Sequence, residues 1–83
     1  MTYDRISDVL YVSTRPGIPA RSQEEQPGVI WRYDVKRGDL IGVTIIDFAL
    51  YWRPRQAELV NQMARRFAVS HEAVQNILDK IEQ

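Results

Sequence analysis

Four aspartates are the residues best suited to chemistry, and they stand at positions 4, 8, 34 and 47. Carboxylates of this kind can act as general acids and bases, or they can hold a hard cation. Such a cation takes about six or more oxygen ligands, and these four side chains are scattered instead of grouped in one loop. An isolated aspartate more often caps a turn or helix through its side-chain oxygen. We therefore expect Asp4, Asp8, Asp34 and Asp47 to be caps, with no catalytic or metal-binding role.

The other reactive side chains lack the partners that catalysis requires. The single histidine, His71, has no Ser, Cys or Asp at a signature spacing. No serine has the flanking glycines of a nucleophile elbow, and no glycine-rich loop is present to bind phosphate. The absence of Cys excludes disulfides and thiolate metal sites, and one His excludes a multi-His zinc site. We expect a protein that is not an enzyme, with no cofactor and no metal.

The composition is typical of one small globular domain, which we expect to span residues 1–83. Of its 83 residues 45% are hydrophobic, and eleven basic residues balance eleven acidic ones. A core of this size rarely supplies more than about 3–5 kcal/mol of net stability. Zero net charge also reduces repulsion between copies. Both properties favour a homo-oligomer, most simply a dimer.

No segment has the pattern of a membrane anchor or a secretory signal. The most apolar stretch, 43–52, contains Asp47 and is half as long as the roughly 20 residues needed to span a bilayer. The first residues carry Asp4 and lack a basic region followed by an apolar one. We expect a cytoplasmic protein with no membrane partner.

The first half of the chain has the pattern of β-strands. Alternation in the run LIGVTII places Ile41, Val43 and Ile45 on one face, which is the better candidate for the core. Short connections containing Pro and Gly predict an antiparallel β-meander of three or four strands over residues 3–48. The candidate strands are 8–14, 29–33 and 40–46, with the polar segment 20–26 as the fourth.

The second half changes to a helical period. Pro54 suits the first turn of a helix, and Ser70 suits an N-cap. Apolar residues recur at intervals of three and four on both sides of Ser70, which predicts helices at 54–67 and 71–82. They also recur at intervals of seven, so one long helix with a coiled-coil seam is the alternative. The fold class is thus α+β, with a helical pair at 54–82 packed on the sheet or on a partner chain.

The first half also resembles a known family. Its ordered pieces are Tyr3-Asp4, Asp8, Leu10 to Val12, Pro27-Gly28-Val29, Tyr33-Asp34, Gly38, Leu40 to Val43 and Ile46-Asp47. Over residues 3–48 the chain resembles the small bacterial and archaeal family catalogued only as domain of unknown function twenty-two eighty-three. The resemblance implies a compact β-meander with no assigned activity. Some members are encoded beside small toxin-like proteins, which implies an antitoxin role. Thr44 stands where that family commonly has Asp or Glu.

One segment, MARRFAVSHEAVQNIL, resembles a DNA-binding helix-turn-helix. In such a motif Arg65 and Arg66 would contact phosphates, while Gln75 and Asn76 could hydrogen-bond to adenine edges. However, Ala68 stands where these motifs usually have Gly. Residues 53–83 also carry only five basic side chains against four acidic ones, which is little for phosphate binding. Nucleic-acid binding is therefore the alternative and not the favoured function.

The favoured function is a non-enzymatic interaction module. Large amphipathic aromatics are enriched at interfaces, and apolar helix faces are used to bind partners. We expect a homodimer, or a complex with a protein partner in an antitoxin-like role. The predicted interface residues are Trp31, Tyr51, Trp52, Val74, Ile77 and Ile81.

Overall fold

A computed structural model describes residues 1–81 of the chain. The chain forms two compact units. The first, Met1–Phe48, is the sheet unit, and the second, which begins at Ala49, is the helical unit. These units correspond closely to the predicted meander and helical pair. The prediction of one single domain over 1–83 stays a prediction.

The sheet unit contains five antiparallel strands in the spatial order β1-β2-β5-β4-β3. The prediction of three or four strands was therefore wrong by at least one. The missed strand has only three residues, which is too short to show alternation, and it pairs with the start of β2. The strands are β1 (Thr2–Asp4), β2 (Val9–Ser13), β3 (Ala20–Gln26), β4 (Val29–Asp34) and β5 (Leu40–Ile46).

The predicted meander holds only for β3, β4 and β5, which follow one another in sequence and in space. β2 pairs with β5 instead of β3. The connection over residues 14–19 must therefore pass the ends of β5 and β4 to reach the far edge of the sheet. The physical reason lies in β5, whose run LIGVTII is apolar on both faces and is buried from Ile41 to Ile45. Such a strand is most stable at the centre, with a neighbour on each side.

One face of the sheet forms the core of this unit. Residues directly opposite each other in the register share a face, as Leu10, Ile45 and Val29 do, and as Val43 and Trp31 do. All five side chains are fully or almost fully buried. The predicted core face of Ile41, Val43 and Ile45 is confirmed, because all three are buried.

Gly42 lies close to the backbone of the neighbouring strand β2. A Cβ atom at this position would lie 2.6 Å from the backbone carbonyl oxygen of Val12. Replacing a strand glycine with alanine in open space stabilises a protein by roughly 0.5–1 kcal/mol. Here we expect the opposite sign, a loss of about 1–3 kcal/mol for Gly42→Ala, because the two backbones must separate. Urea unfolding measures the difference, and a Gly42→Ala variant as stable as the wild type would show that the approach is looser than described.

The helical unit begins with a π-helical turn, Phe48–Trp52, that starts on the last residue of the sheet unit. A short 3₁₀ turn, Arg53–Arg55, follows, and then come α1 (Gln56–Phe67) and α2 (His71–Asp79). The prediction of two helices is confirmed and the single long helix is wrong. Pro54 lies in the 3₁₀ turn, so α1 begins two residues later than predicted. The predicted end of the second helix at 82 lies outside the described residues, and α2 ends at Asp79.

Backbone geometry at residues 68–70 explains why the helix breaks. Ala68 takes a left-handed conformation, with φ 57° and ψ 46°, that ends α1. Ser70 then caps α2, because its side-chain oxygen accepts a hydrogen bond from the Ala73 N–H at 3.1 Å. Both helices bury one apolar side, formed by Leu59, Val60, Met63 and Ala64 in α1 and by Val74 and Leu78 in α2.

Candidate interaction surface

Two of the four aspartates cap turns, as predicted. Asp4 Oδ1 accepts hydrogen bonds from the N–H groups of Ile6 and Ser7, at 3.0 and 3.3 Å. Asp34 Oδ1 accepts from the N–H groups of Lys36 and Arg37, at 2.9 and 3.4 Å. Each carboxylate thereby orders the turn that follows its strand.

The other two aspartates lie in turns with a left-handed backbone, and their capping by the side-chain oxygen stays a prediction. Asp8 and Asp47 have φ angles of 59° and 58°, a left-handed conformation that aspartate adopts more readily than most residues. The Asp8 carboxylate also accepts a hydrogen bond from the Tyr3 hydroxyl at 2.6 Å. Within residues 1–81, no three His, Asp or Glu side chains lie together as a metal-binding group would require.

Asp34 also belongs to a network of ion pairs between two loops. Its carboxylate lies 3.7 Å from Arg15, which also pairs with Asp39 at 3.0 Å. The Lys36 N–H hydrogen bond is the largest cause that lowers the pKa of Asp34, and the Arg37 N–H and the charges of Arg15 and Arg37 act in the same direction. Burial of the carboxylate opposes them. This network fixes the β4–β5 turn against the loop that follows β2.

Because the pKa of Asp34 is lower in the folded than in the unfolded protein, its carboxylate stabilises the fold above its ordinary pKa of 3.8. This contribution disappears as the pH falls through the lowered value. We expect Asp34→Asn to be less stable than the wild type at neutral pH and the difference to shrink in acid. Urea midpoints between about pH 7 and pH 2 measure it. Two parallel curves would contradict the assignment.

The residues predicted to contact DNA lie on both helices. Arg65 and Arg66 are exposed in the last turn of α1. Asn76 is exposed on α2, whereas Gln75 is half-buried and its amide donates to Asp79 Oδ1 at 2.8 Å. The structure therefore leaves three of the four side chains accessible and holds the fourth in an intrahelical hydrogen bond.

Most of the predicted interface residues are already buried within a single chain. Trp31, Trp52, Val74 and Ile81 are all buried, so they offer no surface to a partner in this conformation. A chain this short uses its largest apolar side chains for its own core. Only Tyr51, which is 46% exposed, and Ile77 remain accessible. For these two residues the interface prediction stands as a prediction.

The second face of the sheet is the surface that the sequence reasoning missed. We call it the open face, and alternation and register assign to it Val9, Tyr11, Ile30, Thr44 and Ile46. Tyr11 lies opposite Thr44, which lies opposite Ile30 on its other side. Tyr11 is 43% exposed and Ile46 is 37% exposed, while Val9 and Ile30 are half-buried.

An apolar centre surrounded by polar residues distinguishes the open face from an ordinary solvated one. Antiparallel sheets with one solvated face normally carry polar side chains there. Here four apolar side chains, those of Val9, Tyr11, Ile30 and Ile46, flank the buried Thr44. The other polar positions lie on the edge strands, towards the end of β2 and in β4. Protein interfaces commonly have this arrangement of an apolar core and a polar rim. The rim, assigned by the same register, is Thr2, Asp4, Ser13, Ser22, Glu24 and Arg32.

Comparison with known families identifies the sheet unit. The family model described as "Protein of unknown function (DUF2283)" matches residues 1–48. The chain belongs to this family. The match confirms the resemblance seen in the sequence, and the whole open face lies inside the DUF2283 segment. Neither the curated proteins nor the solved structures gave a match. In the part of the chain that the structure describes, no helix has the length and apolar character to cross a membrane.

Proposed function

We propose that this DUF2283 protein is a non-enzymatic interaction module that forms a homodimer through the open face. The observation that carries the proposal is the apolar centre formed by Val9, Tyr11, Ile30 and Ile46 on a face with partial exposure. Removing apolar surface from water contributes about 25 cal/mol per Å². Contiguous exposed apolar surface on a small protein commonly marks an interaction site.

A second copy of the chain is the partner that the charges favour. The rim carries one basic side chain, Arg32, and two acidic ones, Asp4 and Glu24. In a two-fold dimer the same surface is used by both copies, so a rim of mixed sign is complementary to itself. Two such sheets would stack about 10 Å apart, with the apolar side chains interdigitated.

An antitoxin-like role is a variant of the same proposal. In that case the open face would bind a different small protein, as the family resemblance implies. The predicted packing of the helical pair on the sheet or on a partner chain remains part of the proposal. Both versions use apolar burial and neither requires a catalytic group.

Two tyrosines provide a matched test of the surface. Tyr11 lies on the open face and Tyr51 lies in the helical unit, and their exposed fractions are nearly equal, at 43% and 46%. We expect Tyr11→Glu to convert the dimer to a monomer, because the charge would be buried in the interface. Tyr51→Glu should leave the dimer intact. Light scattering measures both masses, and dissociation by Tyr51→Glu alone would assign the interface to the helical unit instead.

DNA binding by the helical unit is the second candidate function, and the turn between the helices favours it. Ala68 adopts the left-handed conformation that glycine usually supplies at this point of a helix-turn-helix. The exposed Arg65 and Arg66 could contact phosphates. However, the exposed side of α2 carries Glu72 and Asp79, which phosphates repel. The backbone geometry of the turn therefore favours DNA binding, whereas the acidic side chains on α2 oppose it.

A gel shift with random-sequence duplex DNA at low salt tests the second candidate. If it is correct, binding should weaken steeply with salt, and Arg65→Gln combined with Arg66→Gln should abolish it. Arg21→Gln combined with Arg37→Gln removes the same charge from the sheet unit and is the matched control. Equal loss in both double variants would indicate a general charge effect and would count against this candidate.

A further inference from the structure

A cleft in the sheet unit overlaps one end of the open face. Its volume is about 240 Å³, and it extends from the end of β2 and the first part of β5 to the loop over residues 14–19. The side chains that matter for its chemistry are Tyr11, Ser13, Arg15, Ile18, Arg32 and Thr44. Tyr11, Ser13, Arg32 and Thr44 share one face of the sheet by register. The cleft is thus formed within one compact unit.

The cleft is positively charged. Two guanidinium groups line it, those of Arg15 and Arg32, and no Asp or Glu is among its lining residues. Arg15 is engaged in ion pairs with Asp34 and Asp39. By contrast, no acidic side chain within residues 1–81 pairs with Arg32. A guanidinium without a carboxylate partner can bind an incoming anion through two parallel hydrogen bonds.

We propose that this cleft binds a small organic carboxylate, with Arg32 as the residue that holds the carboxylate group. The hydroxyl groups of Tyr11 and Ser13 lie among the lining residues and are available as further donors. The site requires only the sheet unit, but its lining residues Tyr11, Ser13, Arg32 and Thr44 also belong to the open face or its rim. A ligand and a second copy would therefore compete for this surface, so binding is measured at a protein concentration at which the chain is monomeric.

The shape and lining of the cleft select the ligand class. Ile18, Ala20 and the Tyr11 ring provide an apolar wall. A bare phosphate or acetate would leave that wall in water, whereas a carboxylate with a short apolar body would cover it. The cleft volume equals that of about eight molecules of liquid water, which suits a ligand whose apolar part is a single ring.

An amide NMR titration with benzoate, acetate and inorganic phosphate tests the site. We expect saturable shifts with benzoate in the millimolar range, concentrated at Ser13, Arg32 and Thr44. Acetate and phosphate should bind several-fold more weakly, because they do not contact the apolar wall. Phosphate binding as tight as benzoate would overturn the ligand class. Shifts that do not saturate, or that spread over the helical unit, would overturn the site.

Two arginine variants determine which side chain holds the anion. Arg32→Gln should raise the dissociation constant for benzoate about tenfold, the loss typical of a hydrogen bond to a charged group. Arg21→Gln is the matched control, because Arg21 lies on the neighbouring strand and over the Tyr33 ring, outside the cleft. It should bind as the wild type does. Equal dissociation constants for Arg32→Gln and the wild type would contradict the role of Arg32 even if benzoate binds.

Discussion

Replacing Trp31 with alanine is expected to lower the free energy of unfolding by about 3–5 kcal/mol. Trp31 is 1% exposed and is the largest of the fully buried side chains. It lies opposite Val43 on the buried face, in the middle of the sheet. Alanine would leave a cavity there, because the surrounding strands are held in register by their backbone hydrogen bonds and cannot close it. A loss of this size is comparable to the whole stability of many small domains.

Chemical denaturation monitored by far-ultraviolet circular dichroism measures this effect. Protein concentration must be the same for all variants, because the proposed dimerisation would contribute to apparent stability. Arg32→Ala is the control, since Arg32 is the next residue in β4 and lies on the opposite, exposed side. We expect it to change stability by no more than about 0.5 kcal/mol. If Trp31→Ala were equally mild, the buried face could not be the core of the sheet unit.

The second large effect is expected at Arg53, whose guanidinium binds the end of α2. Its Nη1 donates to the carbonyl oxygen of Leu78 at 3.1 Å, and its Nη2 donates to that of Ile81 at 3.0 Å. A third hydrogen bond joins Nη1 to Gln56 Oε1 at 2.8 Å. The Leu78 carbonyl also accepts from the Ile81 N–H at 3.2 Å, and the Ile81 carbonyl lies beyond the end of α2. Arg53 therefore joins the segment that follows α2 to the turn before α1 through charge-assisted hydrogen bonds. Arg53→Met should cost about 2–3 kcal/mol.

Methionine keeps most of the apolar length of arginine, so the loss in Arg53→Met measures the hydrogen bonds. Arg53→Lys should have a free energy of unfolding between those of the wild type and Arg53→Met. An ammonium group cannot reach both carbonyls with the geometry of the guanidinium fork. Arg65→Met, at an exposed site of α1, is the matched control and should be nearly neutral. Equal stability of Arg53→Met and Arg65→Met, measured by urea unfolding, would show that the hydrogen bonds of Arg53 contribute nothing to stability.

Local signals in the sequence were sufficient for the helices and the main strands. Pro54, Ser70 and the apolar period favoured two helices over the single long helix that the interval of seven also allowed. Strand β1 was not predicted, because three residues are too few to show an alternation of apolar and polar side chains. The pairing of β2 with β5 was not predicted either, since the order of strands depends on long-range pairing that turn residues do not encode. The apolar character of β5 on both faces was the available signal for its central place.

The open face was harder to predict than the order of helices and strands along the chain. Trp31 and Trp52 are suited to an interface by type, but type does not distinguish a core from a binding surface. The signal for the open face in the sequence is two adjacent apolar pairs, Val9-Leu10 and Ile45-Ile46. Each pair places one apolar side chain on each face of the sheet. Such pairs in a sheet expected to have one solvated face indicate that the second face also carries apolar side chains.

Sedimentation equilibrium of the wild-type chain over a range of concentrations tests the central claim most directly. The chain has a mass of 9.7 kDa. If the open face joins two copies, the weight-average mass should rise towards twice that value as the concentration increases and should change little with salt, because apolar burial drives the association. A folded chain that stays at 9.7 kDa at every concentration would contradict the homodimer.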